Sequence, residues 1–182
     1  LKRLLLILLA LLLFGCAAKN APAAPAETEP AATAAPEAVP SDAPAAERAF
    51  HFKTTDLDGN TFSEASFDGY DLVMVNFWAY WCPPCRAEMP DLEQLHQAYP
   101  NVLLLGVIVD DSDMDETRAV IESTGVTYPV LYPKGDLLRL AATCQYIPTT
   151  YFISPDGAIL GDPVVGAQDL DGWTATVEAL LP

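Results

Sequence analysis

An α/β fold, with a central mixed β-sheet flanked by helices, is predicted by three features of the sequence. Two strand-length runs, residues 71–78 (DLVMVNFW) and 101–110 (NVLLLGVIVD), are apolar almost throughout, the pattern of strands buried on both faces. Helix-like segments follow each of them, so strands and helices alternate. The C-terminal third then carries a strand, a Pro-Asp-Gly turn and a second apolar segment, the signature of a hairpin.

Taken in order, residues 49–67 (AFHFKTTDLDGNTFSEASF) read as two short strands joined at Asp58-Gly59, an N-terminal β-hairpin. The strand at 71–78 runs into a helix from Pro83 towards Tyr99, with Met89, Leu92 and Leu95 at helical spacing. After the strand at 101–110, residues 113–123 are helical, with acidic residues in the first turn and Gly125 just past the end. Residues 127–133 (TYPVLYP) predict a short strand, and 136–143 (DLLRLAAT) a short helix. Residues 149–154 (TTYFIS) and 158–161 (AILG) predict the hairpin, and 170–181 an amphipathic closing helix.

The first 48 residues do not belong to this domain. Lys2 and Arg3 precede an unbroken apolar run from Leu4 to Phe14, too short to span a bilayer, which identifies residues 1–15 as a secretory signal. The run LLLFGC resembles the lipobox of bacterial lipoproteins, and that resemblance implies cleavage before Cys16 and its lipidation. Residues 16–48 then hold an Ala/Pro-rich tether without aromatic residues or apolar periodicity. Its low-complexity part, residues 20–47, reaches at most roughly 85 Å at about 3.1 Å per residue. The expected location is extracytoplasmic, lipid-anchored to the bacterial cell membrane.

The formal net charge is −16, and loss of Lys2 and Arg3 with the signal takes it to −18. That acidity argues against nucleic acid and against docking on anionic head groups.

The chemistry is concentrated in FWAYWCPPCRAEMP, residues 77–90. Cys82 and Cys85 admit three readings. A structural zinc site needs a second ligand pair, and Cys144, His51 and His96 are scattered singly. A purely structural disulfide over so small a loop stabilises little. A cycling dithiol fits the position, where a buried strand ends and a helix starts. Cys82 would be the N-cap with Pro83 at the first helical position, and the helix N-terminus stabilises a thiolate there. Cys82 is then the attacking thiol and Cys85, one turn inside and more buried, the resolving one. Pro83 and Pro84 lack N–H groups, so Cys85 N–H is the nearest local donor. Cys82 therefore gains less thiolate stabilisation than with glycine at 83, which favours the disulfide and makes the protein more reducing.

NFWAYWCPPC, Pro90 five residues after the second cysteine, and YIPTTYFISPDG together resemble the thioredoxin superfamily over residues 49–182. An inserted αβ segment between the second buried strand and Ile147-Pro148 resembles the membrane-anchored TlpA/ResA-like branch. The resemblance implies a thioredoxin-like fold and thiol-disulfide oxidoreductase activity, most of all reduction of envelope-protein disulfides. It also implies a cis Ile147-Pro148 peptide facing the dithiol, with Ile147 backbone pairing to an extended client and Trp81 shaping the docking surface. Asn76 stands where cytosolic thioredoxins carry a buried Asp, and the extracytoplasmic branch has an acid at the position of Glu88. Glu88 is thus the expected proton acceptor and donor for Cys85, with a raised pKa if buried. No cofactor is implied. The implied partners are disulfide-containing envelope proteins, such as apocytochrome c or methionine sulfoxide reductase, and a membrane dithiol electron donor.

Two other functions compete with this reading. A peroxidase of the peroxiredoxin type would place Thr where Ala79 stands. A copper-handling thioredoxin-fold lipoprotein would use wider cysteine spacing and a histidine such as His51 or His96. Cys144 reads as a buried inert thiol. Asp111, Asp113, Asp115 and Glu122 fall at positions 1, 3, 5 and 12 of a calcium loop, but Glu116 replaces its glycine, so helix capping explains them better.

Overall fold

The computed structural model describes residues 50–182; the expected signal at 1–15, Cys16 and the expected tether to residue 48 lie outside the described residues. Chain order is β1 (Lys53–Thr55), β2 (Thr61–Ser63), a 3-10 turn (Glu64–Phe67), β3 (Leu72–Trp78), α1 (Pro83–Ala98), β4 (Val102–Ile108) and α2 (Met114–Thr124). Then come β5 (Val130–Leu131), α3 (Asp136–Thr143), β6 (Thr149–Ile153), β7 (Val164–Val165) and α4 (Leu170–Leu180).

The N-terminal hairpin pairs β1 antiparallel to β2 with Thr54 opposite Phe62. Its turn is closed by Asp56, whose Oδ1 accepts from the N–H groups of Asp58 and Asn60 at 3.0 and 2.8 Å. Gly59 supplies the positive φ of +89° that the turn requires.

The main sheet has the order β5-β4-β3-β6-β7. β3, every residue of which is buried, occupies the centre, parallel to β4 and antiparallel to β6. Alternation along β3 and β4 divides the core into two layers. Leu72, Met74, Trp78, Leu104 and Ile108 face Met89, Leu92 and Leu95 of α1 and Trp173 and Val177 of α4. Val73, Val75, Phe77, Leu103, Leu105 and Val107 face Phe50, Phe52 and Phe67 near the hairpin and Leu137 of α3. Burial of the two apolar layers, worth about 25 cal/mol per Å² of apolar area, is what fixes the strand that carries the cysteine motif.

The second hairpin differs from the sequence expectation. The turn forms, with Ser154 N–H donating to Ala158 O at 2.8 Å, but residues 158–161 make only an isolated bridge, Ile153 to Ile159. Gly161, at φ +65°, and Pro163, which has no N–H, interrupt the ladder before the chain rejoins β6 as β7. α2 sits one residue later than predicted: Asp113 is its N-cap and Gly125, at φ +71°, its left-handed C-cap.

Candidate functional site

β3 ends at Trp78, at the carboxyl end of the central strand, and a turn closed by Cys82 N–H to Ala79 O at 3.1 Å brings the chain into α1. Cys82 is the N-cap, in extended conformation, and Pro83 and Pro84 fill the first two helical positions. Its Sγ accepts a 3.3 Å hydrogen bond from Cys85 N–H. An N-cap side chain draws on the second or third N–H of the helix. The donor that is missing is therefore at Pro84, the second position, more than at Pro83. Cys82 and Cys85 are joined in a disulfide, and both are covered, at 3% and 1% exposure.

The Ile147–Pro148 peptide bond is cis, and Ile147 O lies 3.6 Å from Cys82 Sγ. Trp81, 54% exposed, and Tyr146, 70% exposed, put two aromatic side chains on the surface next to these residues. Trp81 Nε1 donates to Asp110 Oδ2 at 2.7 Å, and Tyr80 Oη lies 3.3 Å from Ser112 Oγ. The loop after β4 thus holds the turn that precedes Cys82. Asp110 was not legible as part of this site, since acidity near a helix start reads as capping. Ser112, with its hydroxyl and backbone N–H, and then Trp81 hold the Asp110 carboxyl below its usual pKa.

Glu88 lies on α1 one turn beyond Cys85 and is only 2% exposed. Its Oε1 accepts from Asn76 Nδ2 at 2.9 Å and its Oε2 from Gln168 N–H at 3.1 Å. Asn76 also donates to Thr150 Oγ1 at 3.0 Å, so an amide bridges the acid to β6. Loss of water pushes the carboxyl up to about 7, against the opposing pull of these donors. The Trp173 indole, also beside the carboxyl, makes no hydrogen bond of strict geometry. A carboxyl that stays half protonated near neutral pH can both take and give a proton, which an amide at the same place cannot. Gln168 was not foreseen, because a backbone N–H carries no side-chain signal.

The remaining candidates do not gather at one place. Cys144 is the C-cap of α3, half-buried and free, with Sγ donating to Leu140 O at 3.3 Å and its thiol pushed up by burial. His51 is exposed and 3.3 Å from Glu64 Oε1, whereas His96 packs edge-on against Tyr128 with ring centroids 6.0 Å apart. Asp113, which falls at a calcium-loop position in the sequence, caps α2 by accepting from Glu116 N–H at 3.0 Å.

A buried strand running into a helix-capping cysteine pair, across from an Ile-Pro peptide, defines a thioredoxin-fold dithiol protein. Solved structures agree. A thioredoxin-family thiol:disulfide interchange protein from Chlorobium tepidum superposes with TM-score 0.65 at 29% identity, covering 74% of this chain and 96% of that one. A secreted Mycobacterium tuberculosis disulfide oxidoreductase, described as homologous to E. coli DsbE, gives TM-score 0.60 at 27% identity, covering 74% and 98%. Thiol-disulfide oxidoreductase ResA of Oceanobacillus iheyensis is 36% identical over 131 residues, 70% of this chain and 66% of that protein. The AhpC/TSA family model matches residues 45–161, and the chain belongs to that family, among its ResA-like thiol-disulfide oxidoreductases.

Proposed function

We propose that the protein is a lipid-anchored, extracytoplasmic reductase of protein disulfides. The observation that carries this reading is the Cys82–Cys85 disulfide at the N-terminus of α1, with the buried Glu88 one turn behind it. In the reduced protein, the Cys82 thiolate attacks one sulfur of a client disulfide. A mixed disulfide forms and the first client thiolate leaves. Glu88 takes the proton of Cys85, whose thiolate then attacks Cys82 Sγ and releases the second client thiolate. Two electrons pass to the client, the Cys82–Cys85 disulfide forms, and a membrane dithiol donor restores the reduced form by the reverse exchange. Ile147 backbone, beside Pro148, aligns the extended client, and Trp81 lines the docking surface. Candidate clients are apocytochrome cysteines, methionine sulfoxide reductases and misoxidised envelope proteins. The signal at 1–15, lipidated Cys16 and the tether to residue 48 would hold the domain within reach of the membrane.

A trapping experiment tests the assignment of roles. The Cys85→Ser variant is expected to retain a disulfide-linked client on Cys82, and Cys82→Ser to retain none. Equal trapping by both variants would refute the assignment. A second reading, a thiol peroxidase, is favoured by the AhpC/TSA match. Ala79 at the third position before Cys82 opposes it. Reduced protein mixed with hydrogen peroxide is expected to oxidise no faster than a small dithiol, and rapid oxidation would favour the peroxidase.

A further inference from the structure

A cavity of about 550 Å³ lies at the carboxyl ends of β4 and β5, the side of an open α/β sheet where ligands bind. Val109, Asp110, Asp111, Tyr132, Lys134 and Leu138 line it. It shares a wall with the dithiol face, because the Asp110 carboxylate on its lining accepts the 2.7 Å hydrogen bond from Trp81 Nε1, and Trp81 immediately precedes Cys82. On the docking surface proposed above, a client chain that reaches Cys82 lies over Trp81, and so beside the mouth of this cavity.

The lining has the chemistry of a basic side-chain pocket. Leu138, 54% exposed, and Tyr132 offer an apolar wall for an aliphatic stem. Asp110 and Asp111 offer charge. The donors to Asp110, Ser112 N–H and the Trp81 indole, are neutral, so they hold the carboxylate without cancelling it. Neither Asp110 nor Asp111 is in an ion pair among the described residues. Lys134 is the one cation on the lining, against two carboxylates, and Asp113, Asp115 and Glu116 extend the acidic sequence just beyond.

We propose that this cavity selects clients that carry a lysine or arginine beside the reacting cysteine, seating the stem on Leu138 and Tyr132 and the charge on Asp110 and Asp111. The inference rests on the reductase reading above. Its test uses the full chain, reduced, and two peptides, each with one cysteine linked by a disulfide to 2-mercaptoethanol. One peptide has lysines flanking the cysteine and the other has glutamates. 2-Hydroxyethyl disulfide, small and neutral, serves as the reference substrate. The lysine peptide is expected to be reduced about tenfold faster at low salt, the ratio falling towards one at about 1 M salt. The ratio is expected to collapse in the D110N/D111N double variant and to rise in Lys134→Glu, which adds a carboxylate to the same lining. A ratio near one in the unaltered protein, with 2-hydroxyethyl disulfide reduced normally, overturns the pocket and leaves the reductase standing. A ratio that ignores both D110N/D111N and Lys134→Glu assigns the preference to net charge and also overturns it. Failure to reduce 2-hydroxyethyl disulfide overturns the reductase reading, and this inference with it.

Discussion

Replacing Glu88 by glutamine isolates the energetic cost of keeping an acid beside the resolving cysteine. Burial raises the Glu88 carboxyl from 4.5 to about 7 in the folded, oxidised protein. A raised folded pKa means that the native state binds the proton more tightly than the unfolded chain does. The stability contributed by Glu88 is therefore full below pH 4.5 and is lost as pH rises through about 7. At 1.36 kcal/mol per unit the loss is about 3 kcal/mol across that window. A glutamine resembles the protonated acid: one oxygen accepts, and the other atom presents hydrogens to a donor, either Asn76 Nδ2 or Gln168 N–H. Any cost of that mismatch is shared by the protonated wild type and drops out of the pH dependence. Urea unfolding of the oxidised protein from pH 4.5 to 8.5 is the assay. The difference in stability between Glu88→Gln and wild type is expected to shift by about 3 kcal/mol in favour of the variant across the range, from near zero at the acid end. Parallel pH profiles for the two proteins, or a carboxyl titration of Glu88 near 4.5 by NMR, would refute the reasoning.

Four further outcomes are expected. Pro84→Ala supplies the N–H that the second helical position lacks, and one charge-assisted hydrogen bond should lower the Cys82 pKa by about one unit. Thiolate absorbance reads this, with Pro83→Gly as a weaker comparison. Trp81→Ala removes an exposed side chain and its bond to Asp110, so stability should change by less than about 1 kcal/mol while kcat/KM on protein disulfides falls about tenfold or more. Gly106→Ala places a methyl 3.1 Å from Trp78 Nε1 and 3.2 Å from Tyr128 Cε2, both buried, and should cost about 1–3 kcal/mol in denaturant unfolding. Cys144→Ser should leave the potential of the Cys82–Cys85 pair unchanged, since its thiol bonds within α3; a shifted potential would give Cys144 a redox role.

The fold was legible where periodicity and capping act locally. The two fully buried strands, the Asp58-Gly59 turn and Gly125 each encode their conformation in a few neighbouring residues. The failure at residues 158–161 is of another kind. Their apolar character suits a strand, but Gly161 and Pro163 move the pairing to Val164–Val165, and only the edge of the assembled sheet selects that partner. At the site, the cysteine motif announced its place on a helix N-terminus. Asp110 and Gln168 are contributed by loops 28 and 86 residues from Cys82, judged by their numbers, and no local pattern links them to it. The tertiary fold brings Asp110 to Trp81, and Gln168 N–H to Glu88. The buried state of Glu88 likewise depends on β6, the α4 side and Asn76 closing around it, which sequence spacing alone leaves open.

The central claim is that the Cys82–Cys85 pair passes electrons to clients, and its equilibrium reduction potential tests that most directly. Equilibration of the full chain with glutathione or dithiothreitol buffers, followed by thiol alkylation, gives the value. The account predicts a reducing potential of about −270 mV, in the range of thioredoxin. A value of about −120 mV, in the range of a strong disulfide oxidant, would contradict it and make the protein a donor of disulfides.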